Sequence, residues 1–564
     1  MHRTRNQTVA MGDELPLSQA RSVDPFSVDD LPPTRMSWLT RLAHRDDASL
    51  NTRTAPRPAG PDAPHAVVVG GGFGGLASAV RLRARGFRVT LVDRLDQPGG
   101  RARVFEQDGF TFDAGPTVIT APFLFEELWS LCGRTLSDDV ELVPVDPFYR
   151  IRFNDGTAFN YTGDAEEMEE EIARFAPEDV DGYRRFLKKS EEIFEVGFEE
   201  LGHVPFDNVS DMLRIVPAMM KLESHRTVHS LVSKYISHPK IRKVLSFHPL
   251  LVGGNPFSTT SIYTLIAHLE RKWGVWYAMG GTGSLVQGLS DLLRDLKVTQ
   301  RYGTEVEQIL VENETACGVR LDSGETIPAD LVVSNADVGW TYRHLVAPEH
   351  RDTWTDRKVE NMDYSMSLFV WYFGTDRTYE DVEHHTILLG PRYEGLLDDI
   401  FDRKTLADDF SLYLHRPTKT DPSMAPEGHD AFYVLSPVPH LESGVDWRAQ
   451  AEPYRQAVED SLADTVLPDL GEHLVTSRML TPREFRADYK SLKGAAFSVE
   501  PKLTQSAWFR PHNRSEDVDH LYFAGAGTHP GAGIPGVLSS ARVLDTVVPD
   551  PDKFDVRAPV EVAA

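Results

Sequence analysis

A run of β-branched residues breaks directly into glycines at residues 66–77 (AVVVGGGFGGLA), and this stretch limits the available folds more than any other in the 564-residue chain. The apolar run predicts a buried parallel strand, and Gly70, Gly72 and Gly75 follow in the spacing of a dinucleotide-binding turn. Gly70 permits the tight turn, Gly72 lets a pyrophosphate approach the backbone, and Gly75 lets the next helix pack close to the strand. Gly74, in the same turn, is counted with them. Leu76, Ala79 and Val80 face the sheet at helical spacing until Gly86, and residues 87–93 (FRVTLVD) form a second strand. Asp93 closes that strand eighteen residues after Gly75, where a carboxylate can accept hydrogen bonds from an adenosine ribose.

The next residues decide between dinucleotides. Residues 96–102 (DQPGGRA) put two glycines and Arg101 directly after the acid, and 109–117 (GFTFDAGPT) follow. A nicotinamide enzyme has no use for a second wall of small residues here. An extended FAD has, because its pyrophosphate and isoalloxazine both need lining. The matching wall comes late: residues 525–536 (GAGTHPGAGIPG) hold five glycines and two prolines in twelve positions. Residues 521–524 read as a short buried strand, and Gly525 to Gly533 as a loop whose missing side chains admit a flat ligand. Ile534 and Pro535 open a helix, with Val537 on its first turn. Its N-terminus offers free N–H donors and partial positive charge to the pyrimidine end of a flavin.

Bulk properties exclude other classes. A net charge of −26 disfavours nucleic acid and purely electrostatic adhesion to anionic lipid. Two cysteines, Cys132 and Cys317, are too few for a disulfide framework or a cysteine metal site, which makes a reducing cytoplasm the default. No run of about 20 apolar residues predicts a membrane span, and the N-terminus lacks the apolar core of a secretory signal. Residues 1–64, rich in Arg, Asp, Pro and Thr, read as a largely disordered extension with one apolar patch at 36–44.

These segments together resemble bacterial-type phytoene desaturases, FAD-dependent carotenoid enzymes of the amine-oxidase-like flavoprotein superfamily. The resemblance rests on residues 99–102, 110–120 (FTFDAGPTVIT), 246–257 (SFHPLLVGGNPF), 334–337 (SNAD), 498–501 (SVEP) and 525–537, and runs from about 66 to 548. Gly71 and Asp93 depart from it, since family members commonly have alanine and glutamate there. It implies an α/β fold: a Rossmann-like FAD-binding domain (65–145, 275–340 and 496–548) interleaved with a mixed α+β substrate domain (146–274 and 341–495), a helical membrane-facing region, and a tail at 549–564. It implies FAD held by the glycines named above with Asp93, Gly100, Arg101, Thr117, Val306, Gly525, Gly533, Ile534, Pro535 and Val537. The implied reaction is desaturation of phytoene to lycopene or a less desaturated carotene. Alternatives are another carotenoid enzyme on this scaffold (a C30 or hydroxylated-carotenoid desaturase, a ketolase or an isomerase) or a non-catalytic isoprenoid carrier.

A hydrocarbon substrate offers no heteroatom to protonate, so the flavin carries the chemistry and the protein supplies alignment, dryness and a sink for one proton. Asp211 and Arg214, three apart on an otherwise apolar helix-like stretch that resembles the family's substrate entrance, are the catalytic candidates, with His248 next. His384 and His385 are adjacent rather than at helical spacing and read as structural or surface residues, so no metal site is expected. The apolar stretch from Met212 to Leu222, flanked by Arg214, Lys221 and Arg226, is expected to dock on the cytoplasmic face of the membrane without crossing it. Quinone or oxygen is the expected electron acceptor.

Overall fold

The computed structural model describes residues 55–554, apart from the side chains of Val209 and Asp211. The apolar patch at 36–44 lies outside the described residues, as do the rest of 1–54 and 555–564. The packed chain begins before the expected boundary at 65: Arg57 N donates to Ala84 O (2.9 Å), and its own carbonyl accepts from Arg83. It also runs past 548. Phe554 packs edge-on against Phe87, with ring centres 5.6 Å apart.

Two sheets organise the molecule. Their strands are, in chain order, β1 (His65–Val69), β2 (Arg88–Val92), β3 (Tyr149–Phe153), β4 (Ala158–Tyr161), β5 (Thr299–Arg301), β6 (Leu331–Ser334), β7 (Ser367–Thr375), β8 (His385–Leu389), β9 (Leu412–His415), β10 (Asp430–Val438), β11 (Leu474–Leu480) and β12 (Leu521–Phe523). The helices that matter below are α1 (Phe73–Arg85), α2 (Phe123–Ser130), α3 (Val209–Lys221), α4 (Thr282–Asp295) and α5 (Ile534–Val547).

The first sheet is parallel and five-stranded, in the order β12-β6-β1-β2-β5. Its strands other than the polar edge strand β5 read as near-continuous apolar runs, as buried parallel strands do. Helices α1 and α5 pack together against it. The buried Arg81 on α1 reaches Glu127 on α2 (3.1 Å) and Asp545 on α5 (2.6 Å). Val306–Glu312, Thr315–Leu321 and Thr326–Pro328 form a separate three-stranded antiparallel ribbon.

The second sheet has seven strands, in the order β11-β7-β10-β9-β8-β3-β4, antiparallel except where β8 meets β3. Every residue of β7 is buried, but its two faces serve different ends. Phe369, Trp371 and Phe373 pack with Trp447 and Tyr454 of the helix Trp447–Thr465. Leu368, Val370 and Tyr372 join the core on the opposite face. That face looks back toward the first sheet. Among the described residues no helix is long and apolar enough to cross a membrane.

Candidate active site

The turn between β1 and α1 is built as its glycines require. Gly70 has φ +98°, in the left-handed region, and its N–H donates to Val92 O at 2.8 Å. A Cβ on Gly75 would lie 1.8 Å from Gly70 O, so no larger residue lets α1 start this close to the strand. Asn335, at the end of β6, reaches into the same turn. A Cβ on Gly72 or Gly74 would stand 3.1 or 2.5 Å from its amide, and one on Gly525 would stand 2.6 Å away. Asn335 Nδ2 donates to Ala524 O at 2.9 Å, which fixes the junction of three distant chain segments. It was not among the expected cofactor contacts, although the polar run at 334–337 marked the strand end.

Two cavities meet at this turn. One of about 130 Å³ is lined by Gly70, Asp93, Gly100, Thr304 and Val306, the other, of about 450 Å³, by Thr117, Gly525, Gly533, Ile534, Pro535 and Val537. Gly72, Arg101, Asn335 and Tyr489 line both. The result is one elongated slot with a narrow end and a wide end. At the narrow end the Asp93 carboxylate accepts from Gly71 N (2.5 Å) and Leu95 N (2.7 Å), and burial pushes its pKa up. Arg101 Nη2 donates to Ser491 Oγ at 2.6 Å, while its buried Nε has no hydrogen-bond partner among the described residues. Burial also pulls the Arg101 guanidinium pKa down. A Cβ on Gly100 would lie 3.3 Å from Gly72 Cα, so the two walls touch through glycine backbone.

At the wide end the loop 525–533 is held from behind. Arg510 is fully buried and donates to the carbonyls of Ala526 (2.6 Å), Thr528 (3.1 Å), Val499 (3.1 Å) and Gln505 (3.3 Å). Gly533 (φ +89°) precedes α5 with no side chain capping the helix, which leaves its first N–H groups to a ligand. These features fit FAD. The glycine walls would admit a pyrophosphate, Arg101 would offer it a donor, and the uncapped helix N-terminus would supply N–H groups to the electron-rich end of an isoalloxazine.

Beyond the loop the wide cavity is walled by the second sheet, through Leu368, Val370, Ile387, Leu389, Leu412 and Leu435. Its polar exceptions cluster: Thr117 Oγ1 lies 2.6 Å from Tyr433 OH and 3.2 Å from Tyr413 OH, and Tyr413 OH lies 2.7 Å from His385 Nδ1. His384 and His385 are therefore not surface residues. They are buried together with His415, because β8 and β9 pair His385 directly with His415.

Of the two expected catalytic residues, the structure places the side chain of Arg214 alone. Arg214 is exposed on α3 and does not line the cavity; Ile215, Met219 and Leu222 of that segment do. The apolar side of the helix faces the cavity and Arg214 is turned outward. The side chain of Asp211 is outside the described residues. His248 is buried against Glu270 (3.1 Å), whose other oxygen accepts from Tyr149 OH (2.7 Å), and does not line the cavity.

The sequence profile of the flavin-containing amine oxidoreductases matches residues 73–543. The chain belongs to that family. Within it, the neurosporene-forming phytoene desaturase of Cereibacter sphaeroides is 49% identical over 494 residues, covering 87% of this chain and 95% of the relative. The lycopene-forming phytoene desaturase of a Paracoccus species is 48% identical over 489 residues, covering 86% and 98%. Among solved structures, a variant of putrescine oxidase aligns with a TM-score of 0.59 at 12% identity, covering 86% of this chain and 97% of that one. The fold is that of an FAD-binding amine oxidase, and the cofactor is FAD.

Proposed function

We infer that this chain is an FAD-dependent phytoene desaturase that introduces double bonds by hydride transfer, yielding neurosporene or lycopene. The observation that carries this reading is the wide cavity. It joins the flavin-facing loop to a wall of aliphatic side chains, and among the described residues Arg101 and Glu270 are the acidic or basic chains in its lining apart from His529. FAD held there would supply a hydride acceptor, and the developing cation on the substrate would be allylic to existing double bonds. The chain's own part is to align the polyene along the second sheet and keep water out. Both ends of the flavin slot are intact, which argues against a non-catalytic carrier. Quinone or oxygen takes the electrons onward.

The same reading includes docking on the cytoplasmic face of a membrane, since the substrate dissolves in lipid. Helix α3 supports it by facing two ways. Ile215, Met219 and Leu222 look into the cavity, while Leu213 (67% exposed), Val216 (41%) and Met220 (59%) are presented outward, beside Phe509 on the adjoining turn Ala507–Phe509. Of the flanking cations, Arg226 is held by Glu223 at 2.7 Å, which leaves apolar contact as the main contributor. The cytoplasmic side is in keeping with Cys132 and Cys317, which form no disulfide among the described residues.

Expression in a host that accumulates colourless phytoene tests the activity. Visible-absorbing neurosporene or lycopene is the expected product. Unchanged phytoene beside FAD-loaded protein overturns the reading.

A further inference from the structure

The reaction must shed a proton into a wall that is mostly aliphatic, and a hydrogen-bonded chain of hydroxyls leads from that wall to a group of buried histidines. Thr117, Tyr413 and Tyr433 line the cavity and exchange hydrogen bonds among themselves, and Tyr413 OH is 2.7 Å from His385 Nδ1. Thr117 sits close to the flavin wall. Gly115, two residues before it, packs so tightly on Arg101 that a Cβ would lie 2.2 Å from the Arg101 carbonyl. Behind Tyr413, three imidazoles gather out of solvent: His384 (2% exposed), His385 (0%) and His415 (1%). Nε2 of His384, Nε2 of His385 and both nitrogens of His415 have no partner among the described residues, while Thr420 Oγ1 engages His384 Nδ1 at 2.6 Å. One nitrogen from each ring lies within 4.8 Å of the others.

We propose that the proton leaving the carotene passes to the Tyr413 oxygen while the Tyr413 proton moves to His385, with His384 and His415 stabilising the charge. This rests on the desaturase reading above. One C–H bond of the substrate breaks with its electron pair leaving as hydride to the flavin. The neighbouring C–H bond breaks and leaves its pair behind as the new π bond. Its proton bonds to Tyr413 oxygen, and the former Tyr413 proton bonds to His385 Nδ1, so the protein gains one proton and no electrons. Passing two electrons on to a quinone or oxygen consumes one proton, and the chain runs in reverse.

Burial sets the resting protonation states of the relay. It holds the three imidazoles well below their ordinary pKa, His384 at about 3, so each rests as a neutral base, and it keeps the Tyr413 hydroxyl protonated. Charge balance favours a proton over a metal ion as the guest. The cluster contains no carboxylate or thiolate, and nearby Asp430 is committed to Arg416 at 2.9 Å, so a divalent ion would sit in a dry interior without a counter-charge. A single proton is offset by the negative charge that reaches the flavin in the same turnover. Of the other buried bases at this cavity, Glu270 is engaged on one oxygen by Tyr149 and on the other by His248, and His529 Nε2 lies 3.1 Å from Leu201 O, so neither belongs to this chain of hydroxyls.

Tyr413 is the group that meets the substrate, and His385 acts through it. The test is anaerobic flavin bleaching by phytoene in liposomes, with FAD content and half-saturating phytoene measured alongside. Tyr413→Phe is expected to slow bleaching about 100-fold, with FAD content and half-saturation unchanged. The solvent deuterium isotope effect of the wild type should vanish in this variant, which a packing role for the hydroxyl would not produce. Should Tyr413→Phe lose FAD, His385→Asn, which leaves the cavity wall in place, is read instead, with the same expectation. A bleaching wild type beside an equally fast Tyr413→Phe overturns the relay alone. Stoichiometric metal in purified protein also overturns it. A wild type that holds FAD but is not bleached overturns the desaturase reading and the relay with it.

Discussion

Asp113 closes the strand Phe110–Asp113 with its carboxyl against the start of α4, where Gly283 N donates to Oδ1 at 3.2 Å and Oδ2 has no partner among the described residues. Burial outweighs that favourable contact and raises its pKa from 3.8 to about 6. The folded state therefore binds this proton more tightly than the unfolded chain does. The stability it contributes is complete below about pH 4 and is lost as pH rises through about 6. The shift corresponds to at most about 3 kcal/mol. Asp113→Asn keeps the acceptor and removes the charge, so its stability relative to wild type should climb across pH 4 to 7 in urea denaturation. A constant difference over that window means Asp113 ionises as freely folded as unfolded. At this scale the sequence was legible where chemistry dictates spacing. Gly70, Gly75 and Asp93 are positioned by a turn whose geometry leaves few choices. It was mute for Asn335, whose partner is a backbone carbonyl 189 residues away, and for Arg510, whose partners are carbonyls of irregular loops with no pattern to mark them.

Elements were legible in proportion to their asymmetry. The β1–α1–β2 unit announces itself by a change of period from strand to helix. In β7, buried throughout, the two faces carry equally large apolar residues, so nothing in the sequence separates the cavity wall from the face under the helix Trp447–Thr465. The histidine cluster was invisible for a related reason. His385 and His415 meet through the register of β8 on β9, and a one-residue slip would separate them. Helix α3 was recognisable as apolar, but only its orientation shows which residues belong to which surface. Met219 lines the cavity and Met220 faces out, so substitutions meant to test docking must avoid Met219. Leu213→Glu combined with Met220→Glu should abolish flotation with liposomes while bound FAD stays at the wild-type level. A double variant that still floats moves the docking surface away from α3.

On the scale of the whole molecule, the flavin slot belongs to no single stretch of chain. Its narrow end comes from residues near 70, 93 and 306, its waist from Arg101 and Asn335, its wide end from 525–537, and its outer wall from the second sheet. The first sheet likewise takes its strands from three separated parts of the sequence. A ligand that touches all of them stabilises the assembled arrangement and has no comparable site in the unfolded chain. Mass action then requires stability to grow with free FAD, by about 2.7 kcal/mol at a concentration 100 times the dissociation constant. The slot offers glycine backbone, an arginine and a helix terminus, a set that holds FAD through noncovalent contacts. Two measurements follow from the same argument. The thermal midpoint of the flavin-free protein should rise steadily with added FAD, and acid denaturation of the loaded protein should release all the yellow colour into the supernatant. A midpoint indifferent to FAD would mean that the segments assemble without it and that the slot is not where it binds. Colour retained in the pellet would mean a covalent link that none of these contacts supplies.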